Sequence, residues 1–207
     1  MFSLERLFYT IPAILIGLTV HEFSHAYSAF KLGDTTARDQ GRITLNPLKH
    51  IDILGFIFII IAGFGWAKPV QFSPAHLKNP KRDRGIIALA GPLSNLLLGL
   101  VCALICKLMY TFKPADFGIY YTRLYLVFLY AVYINFGLAV FNILPIPPLD
   151  GSHIFFSGLN LSPETEMKIS RIGFPLLFII IIIQNRTNIT ILPIGQIVES
   201  MVSFILD

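Results

Sequence analysis

The sequence predicts an all-α polytopic membrane protein, with a three-helix core, short strands or a re-entrant segment between the first and second core helices, and a C-terminal helical pair. Three observations predict it. Of 207 residues, 55% are hydrophobic and only 14% charged, where a soluble domain carries about 25% charged residues. The mean hydropathy is +0.70. Apolar stretches long enough for the roughly 20 residues of a membrane span start near Leu7, Ile86 and Thr122.

The first helix is expected from about Leu4 to Leu32, interrupted only near its start by Pro12 and stopped by Gly33-Asp34. Its flank holds Glu5 and Arg6 with no net positive charge, so it reads as a retained span rather than a signal peptide. Residues 31 to 52 are mixed, and alternation such as Arg42-Ile43-Thr44-Leu45 could supply short strands, as could residues 66 to 72. The apolar run Ile53 to Phe64 is only twelve residues long, so it fits a re-entrant or partial span. Spanning helices are expected from Ile86 to about Phe112 and from about Thr122 to Leu144. Pro145, Pro147 and Pro148 then forbid regular helix before Asp150-Gly151. The apolar segments Ile172 to Ile183 and Ile189 to Leu206 complete the chain as a hairpin or a peripheral pair. The whole reads as one membrane-embedded domain, residues 1 to 207, with its core at about 4 to 153, C-terminal helical segments at about 163 to 207, and no appended soluble module.

The net charge of +4 needs no nucleic-acid partner, because Lys and Arg gather in a few loops. If residues 53 to 64 dip in and return, residues 31 to 85 hold nine of the sixteen, 150 to 171 hold two, and five lie elsewhere. The heavier side is expected to be cytoplasmic. Cys102 and Cys106, four apart in an apolar run, are poorly placed for a disulfide and read as packing residues, with a soft metal pair as the alternative.

The chemistry-bearing motif is His21-Glu22-Phe23-Ser24-His25, which is HExxH inside the first apolar stretch. On a helix, positions i and i+4 share a face, so both imidazoles can meet one ion with Glu22 beside it. A catalytic Zn²⁺ site takes three protein ligands and keeps one open position. Ionisable groups at bilayer depth are costly unless they face a cavity, a partner or a metal. Asp150 is the candidate third ligand, reaching similar depth from another helix; its competing role is the N-cap of a helix starting at Ser152.

In this order and on these membrane segments, HExxH, Gly91-Pro92-Leu93-Ser94-Asn95 and Asn142 to Gly151 resemble the site-2 protease family of intramembrane zinc metalloproteases, in a minimal form. The resemblance runs from about Leu7 to His153 and includes the linking stretch Gly63 to Val70. It implies a catalytic core in which His21, His25 and Asp150 bind one Zn²⁺ per chain, while Glu22 takes a proton from water and returns it to the leaving amine. Asn142 and His153 are the candidates for holding the substrate backbone or the oxyanion, and Asn142 could instead satisfy carbonyls freed by Pro145. The expected partners are the lipid bilayer and membrane proteins with a transmembrane segment, and the expected location is the cell membrane of a prokaryote, with the site nearer the cytoplasmic face. No motif bears on oligomeric state.

Two other readings compete. A metal transporter would want histidines and acids spaced along a pathway, whereas here they gather at one level and the other long helices lack acids. An inactive scaffold is disfavoured by the intact Glu22. Asn95 and Asn135 read as hydrogen bonding between helices, and His50 and His76 as solvated loop residues. Asn160, Asn185 and Asn188 start short glycosylation-type triplets that carry no weight.

Overall fold

A computed structural model of the chain describes residues 4–62, 65–114, 118–159, 161–187 and 189–207. Gly63, Phe64, Asn160 and Asn188, named above, lie outside the described residues. Among the described residues there are eight α-helices: α1 Leu4–Lys31, α2 Thr36–Asp39, α3 Ile53–Ala62, α4 Pro80–Thr111, α5 Ile119–Asn142, α6 Asp150–Gly158, α7 Pro163–Arg186 and α8 Ile194–Leu206. Three of them are long and apolar enough to cross a membrane: Leu7–Lys31, Pro80–Thr111 and Ile119–Asn142. The shortest of the three helices, α5 with 24 residues, extends about 36 Å at 1.5 Å per residue, which exceeds a hydrocarbon core of about 30 Å.

α4 is the central element, packed along α1, α5 and α6, while α8 packs against both α5 and α4. Cys102 and Cys106 sit with Val132, Phe136, Val198 and Val202 in the apolar core that joins α4, α5 and α8. They are packing residues. Helix ends follow local chemistry. α1 stops in a Schellman turn at Gly33, whose φ of 109° suits glycine, with Asp34 N–H donating to Ala29 O and Gly33 N–H to Phe30 O. α4 opens on Pro80, and the Asp83 carboxylate accepts from the Asn79 N–H.

The structure corrects three expectations. No regular strand forms among the described residues; the alternation near residues 42 to 45 and 66 to 72 yields a single antiparallel bridge, Ile51 with Ala67. That bridge, together with the Lys68 N–H donating to His50 O at 2.8 Å, brings the chain back beside its point of departure, so α3 belongs to a hairpin and not to a full span. α1 continues through Pro12 without a break. α7 starts at Pro163, nine residues before the apolar run at Ile172, because Ser162 caps it by accepting from Thr165 N–H, Pro163 occupies its first turn, and Glu164 and Glu166 favour its positive end. His50, expected in solvent, is fully buried.

Candidate metal centre

HExxH lies on α1 as one face turned towards α4 and α6. His21, Glu22 and His25 are all buried. Asp150 opens α6, whose N-cap is Leu149, so its side chain is free of the capping role and reaches the two imidazoles instead. Gly151 makes this possible, since any Cβ there would overlap the Ile143 carbonyl at the end of α5. Asp150 Oδ2 lies 3.0 Å from His21 Nε2 and 3.3 Å from His25 Nε2. One donor atom from each of the three residues falls within 4.8 Å of the others.

Hydrogen bonding fixes which nitrogens face this point. The Asn95 amide Nδ2 donates to Gly17 O at 3.0 Å and to Asn135 Oδ1 at 2.9 Å, so its Oδ1 is the acceptor for His21 Nδ1 at 2.6 Å. His25 Nδ1 has the Ile87 carbonyl at 2.7 Å, which can only accept. Each Nδ1 therefore carries a proton, and in the neutral rings the two Nε2 lone pairs face each other across 3.0 Å. Two lone pairs and a carboxylate oxygen that has no hydrogen-bond partner are mutually repulsive unless a cation lies among them. Two neutral imidazoles and one carboxylate, each imidazole steadied through its second nitrogen, suit Zn²⁺. The backbone leaves room: a Cβ on Gly91 would collide with both imidazoles.

Glu22 is not among the converging donors. Its Oε2 accepts from the Val70 N–H at 3.0 Å and lies 3.9 Å from Arg42 Nη2. His21, Glu22, His25, Asp150, Asn142 and His153 all face a cavity of about 300 Å³ whose other walls include Trp66, Val70, Phe141, Phe174 and Phe178. Asn142 Nδ2 donates to Leu138 O, one turn back on its own helix, rather than to a carbonyl freed by Pro145. His153 Nδ1 is buried without a hydrogen-bond partner, and burial followed by the charge of Arg84 pushes its pKa below the ordinary histidine value. Asn95 and Asn135 do hydrogen-bond between helices, and Asn95 additionally orients His21. The roles of Arg42, of His50 beside it and of the Val70 N–H had no sequence signal, since Arg42 and Val70 reach Glu22 only through folding of the loop.

With this geometry in view, comparison with known proteins is decisive. The chain is 39% identical over 153 residues to "Putative zinc metalloprotease YwhC" of Bacillus subtilis, an alignment covering 74% of this chain and 70% of that protein. The chain belongs to peptidase family M50. The M50 family model itself matches residues 119–183. "Putative zinc metalloprotease MJ0611" of Methanocaldococcus jannaschii is 34% identical over 155 residues, covering 74% of this chain and 72% of that one. Rip2 of Mycolicibacterium smegmatis is 32% identical over 165 residues, and there the chain spans 60% of the relative's length. No solved structure matches. M50 membership makes the protein a zinc metalloprotease of the site-2 protease family, with apolar helices that suit a lipid bilayer.

Proposed function

We propose that the protein is an intramembrane zinc endopeptidase, in which His21, His25 and Asp150 hold one Zn²⁺ and Glu22 is the general base, hydrolysing peptide bonds within or near transmembrane segments of membrane proteins. The observation that carries this reading is the convergence of the His21 and His25 Nε2 atoms and the Asp150 carboxylate on one point beside Glu22. Zinc bound there supplies Lewis acidity, which polarises the scissile carbonyl and lowers the pKa of water. Glu22, held through Oε2 by the Val70 N–H, takes the proton of the attacking water with its other oxygen and returns it to the leaving amine. Asn142 and His153, on the cavity wall, are the side chains for the substrate backbone and the developing oxyanion.

A helical substrate shields its peptide bonds by internal hydrogen bonding and must unwind to be cut. Trp66, Ala67, Pro69 and Val70 line the cavity, forming a wall along which an unwound peptide can lie. Phe174 and Phe178 of α7 line the same cavity, which supports one functional unit over residues 1 to 207 in which the C-terminal helices complete the core. With α3 in a hairpin that returns to its side of entry, the nine Lys and Arg of residues 31 to 85 would share one side, which supports a multi-pass protein of a prokaryotic cell membrane with the site nearer the cytoplasm.

The test is zinc content and cleavage of a model transmembrane peptide in detergent. Parent protein should carry about one zinc per chain. Glu22→Gln should keep the metal and lose about 10²-fold or more in cleavage, and Asp150→Ala should lose most of the metal. Cleavage by Glu22→Gln at the parent rate sinks the mechanism.

A further inference from the structure

We propose that Arg42 is a positioning residue for peptide hydrolysis, a buried guanidinium that fixes the 66–70 segment so that the Val70 N–H holds Glu22 in register with the metal site. The proposal rests on Glu22 being the base. Arg42 belongs to the loop after α2 and is 5% exposed, unusual for a residue type almost never fully buried without partners. Its partners are backbone carbonyls of a segment 26 and 27 residues downstream: Nη2 donates to Lys68 O at 2.6 Å and Nη1 to Pro69 O at 3.2 Å. The next residue, Val70, donates its N–H to Glu22 Oε2. The guanidinium therefore grips two consecutive carbonyls immediately before the amide that touches the carboxylate, and its own Nη2 lies 3.9 Å from the same Oε2.

This grip is itself anchored. His50 is fully buried, with Nε2 at 2.8 Å from Thr44 O and Nδ1 at 3.4 Å from Arg42 Nη2. His50 O in turn accepts from Lys68 N–H. Further along, Asp34 at the end of α1 accepts from the Ser73 N–H at 2.6 Å and pairs with His76 Nδ1 at 3.0 Å. The segment is thus tied on both sides of Val70, with Arg42 at the tie next to the base. Residues 66, 67, 69 and 70 also line the cavity, so one guanidinium couples the wall that meets a peptide to the group that activates water. A planar fork can donate to two adjacent carbonyls at once, which an ammonium on a flexible stem cannot reproduce with the same geometry.

The experiment measures kcat, KM and zinc content for parent, Arg42→Lys, Val70→Pro and Glu22→Gln on a model transmembrane peptide in detergent. Arg42→Lys keeps the charge and should keep about one zinc per chain, with kcat down tenfold or more and KM within threefold. Val70→Pro removes the N–H while leaving Arg42 in place, and should reproduce the kcat loss with zinc retained. Arg42→Lys at the parent kcat overturns the proposal, as does a loss that travels with lost zinc or falls wholly on KM, since either marks a fold or wall role. Should Arg42→Lys fail to accumulate, Val70→Pro decides alone: parent kcat overturns the proposal, and a kcat loss with zinc retained supports it. Glu22→Gln separates the two readings, because parent-like cleavage by that variant removes the base itself, whereas its inactivity beside a fully active Arg42→Lys defeats only the role of Arg42.

Discussion

Asn95 of α4 accepts from His21 of α1 across 2.6 Å, and the same amide donates to the backbone of Gly17 and to Asn135 of α5. One side chain thereby joins the three long helices and sets the tautomer of an HExxH histidine. Truncating it should cost more in metal binding than in folding. Asn95→Ala is expected to weaken zinc about 10- to 100-fold, the usual loss when a ligand histidine is deprived of its outer partner. Asn95→Asp keeps the acceptor for His21 and should retain more zinc than Asn95→Ala. Competition with a zinc chelator on purified protein measures both, and equal affinity in the two variants would refute the orienting role.

Gly91 offers a sharper separation of fold from site. Adding a methyl in mid-helix removes a glycine penalty of about 1 kcal/mol, yet at this position the methyl enters the space of the His21 and His25 rings. Gly91→Ala should retain helical circular dichroism and lose zinc stoichiometry together with activity. Full zinc occupancy in Gly91→Ala would show that the imidazoles do not pack against α4 as described.

Much of this centre was legible because its parts are local. The i, i+4 spacing of His21 and His25 is guaranteed by a single helix, and Asp150 followed from the need for a third donor beyond a proline-rich helix end. The limits of α1, α4 and α5 followed from hydropathy, with errors of up to six residues where capping chemistry overrode the apolar run, as at Pro80. What was not legible is non-local and polar. Arg42 and His50 look like ordinary loop residues until the loop folds over Glu22 across 20 to 28 positions, and burial of a charged fork against backbone carbonyls has no periodic signature. The apolar run understates α7 for a related reason: residues Glu164 to Arg171 are mostly polar but helical, because Ser162 and Pro163 start the helix there.

Asp34 gives a pH prediction. Burial opposes its charge, but hydrogen bonds from the Thr36 hydroxyl and N–H, the Ser73 N–H and His76 hold its carboxyl below the usual carboxylate range. A depressed folded-state pKa means that the stabilisation is complete above the unfolded value of about 4 and disappears as pH falls through the folded value. Asp34→Asn should therefore destabilise by about 1–3 kcal/mol at neutral pH, and faster amide exchange at Ser73 should accompany it. The difference in thermal stability between parent and variant should stay level down to about pH 5 and narrow below about pH 4. A difference that instead grows on acidification would contradict the assignment of the charge to Asp34.

The α3 hairpin makes a topological prediction that sequence counting alone could not secure. Ten residues of helix cover about 15 Å, half of a hydrocarbon core of about 30 Å, and the Ile51–Ala67 bridge returns the chain to its starting level. Lys49 and Lys68 must then lie on one side of the membrane, and the positive-inside bias makes that side cytoplasmic. Lys168, in the first half of α7, should share it, whereas Lys113, beyond the end of α4, should lie opposite. All four positions are exposed, while Cys102 and Cys106 are buried, so single cysteines placed at these lysines can be read against little background. A membrane-impermeant maleimide applied to intact cells should label Lys113→Cys alone, and applied to inverted vesicles it should label Lys49→Cys, Lys68→Cys and Lys168→Cys. Labelling of Lys49→Cys and Lys68→Cys from opposite faces would make α3 a true span and would reverse the orientation of every later element, separating HExxH from Asp150 across the bilayer, which their 3.0 Å contact forbids.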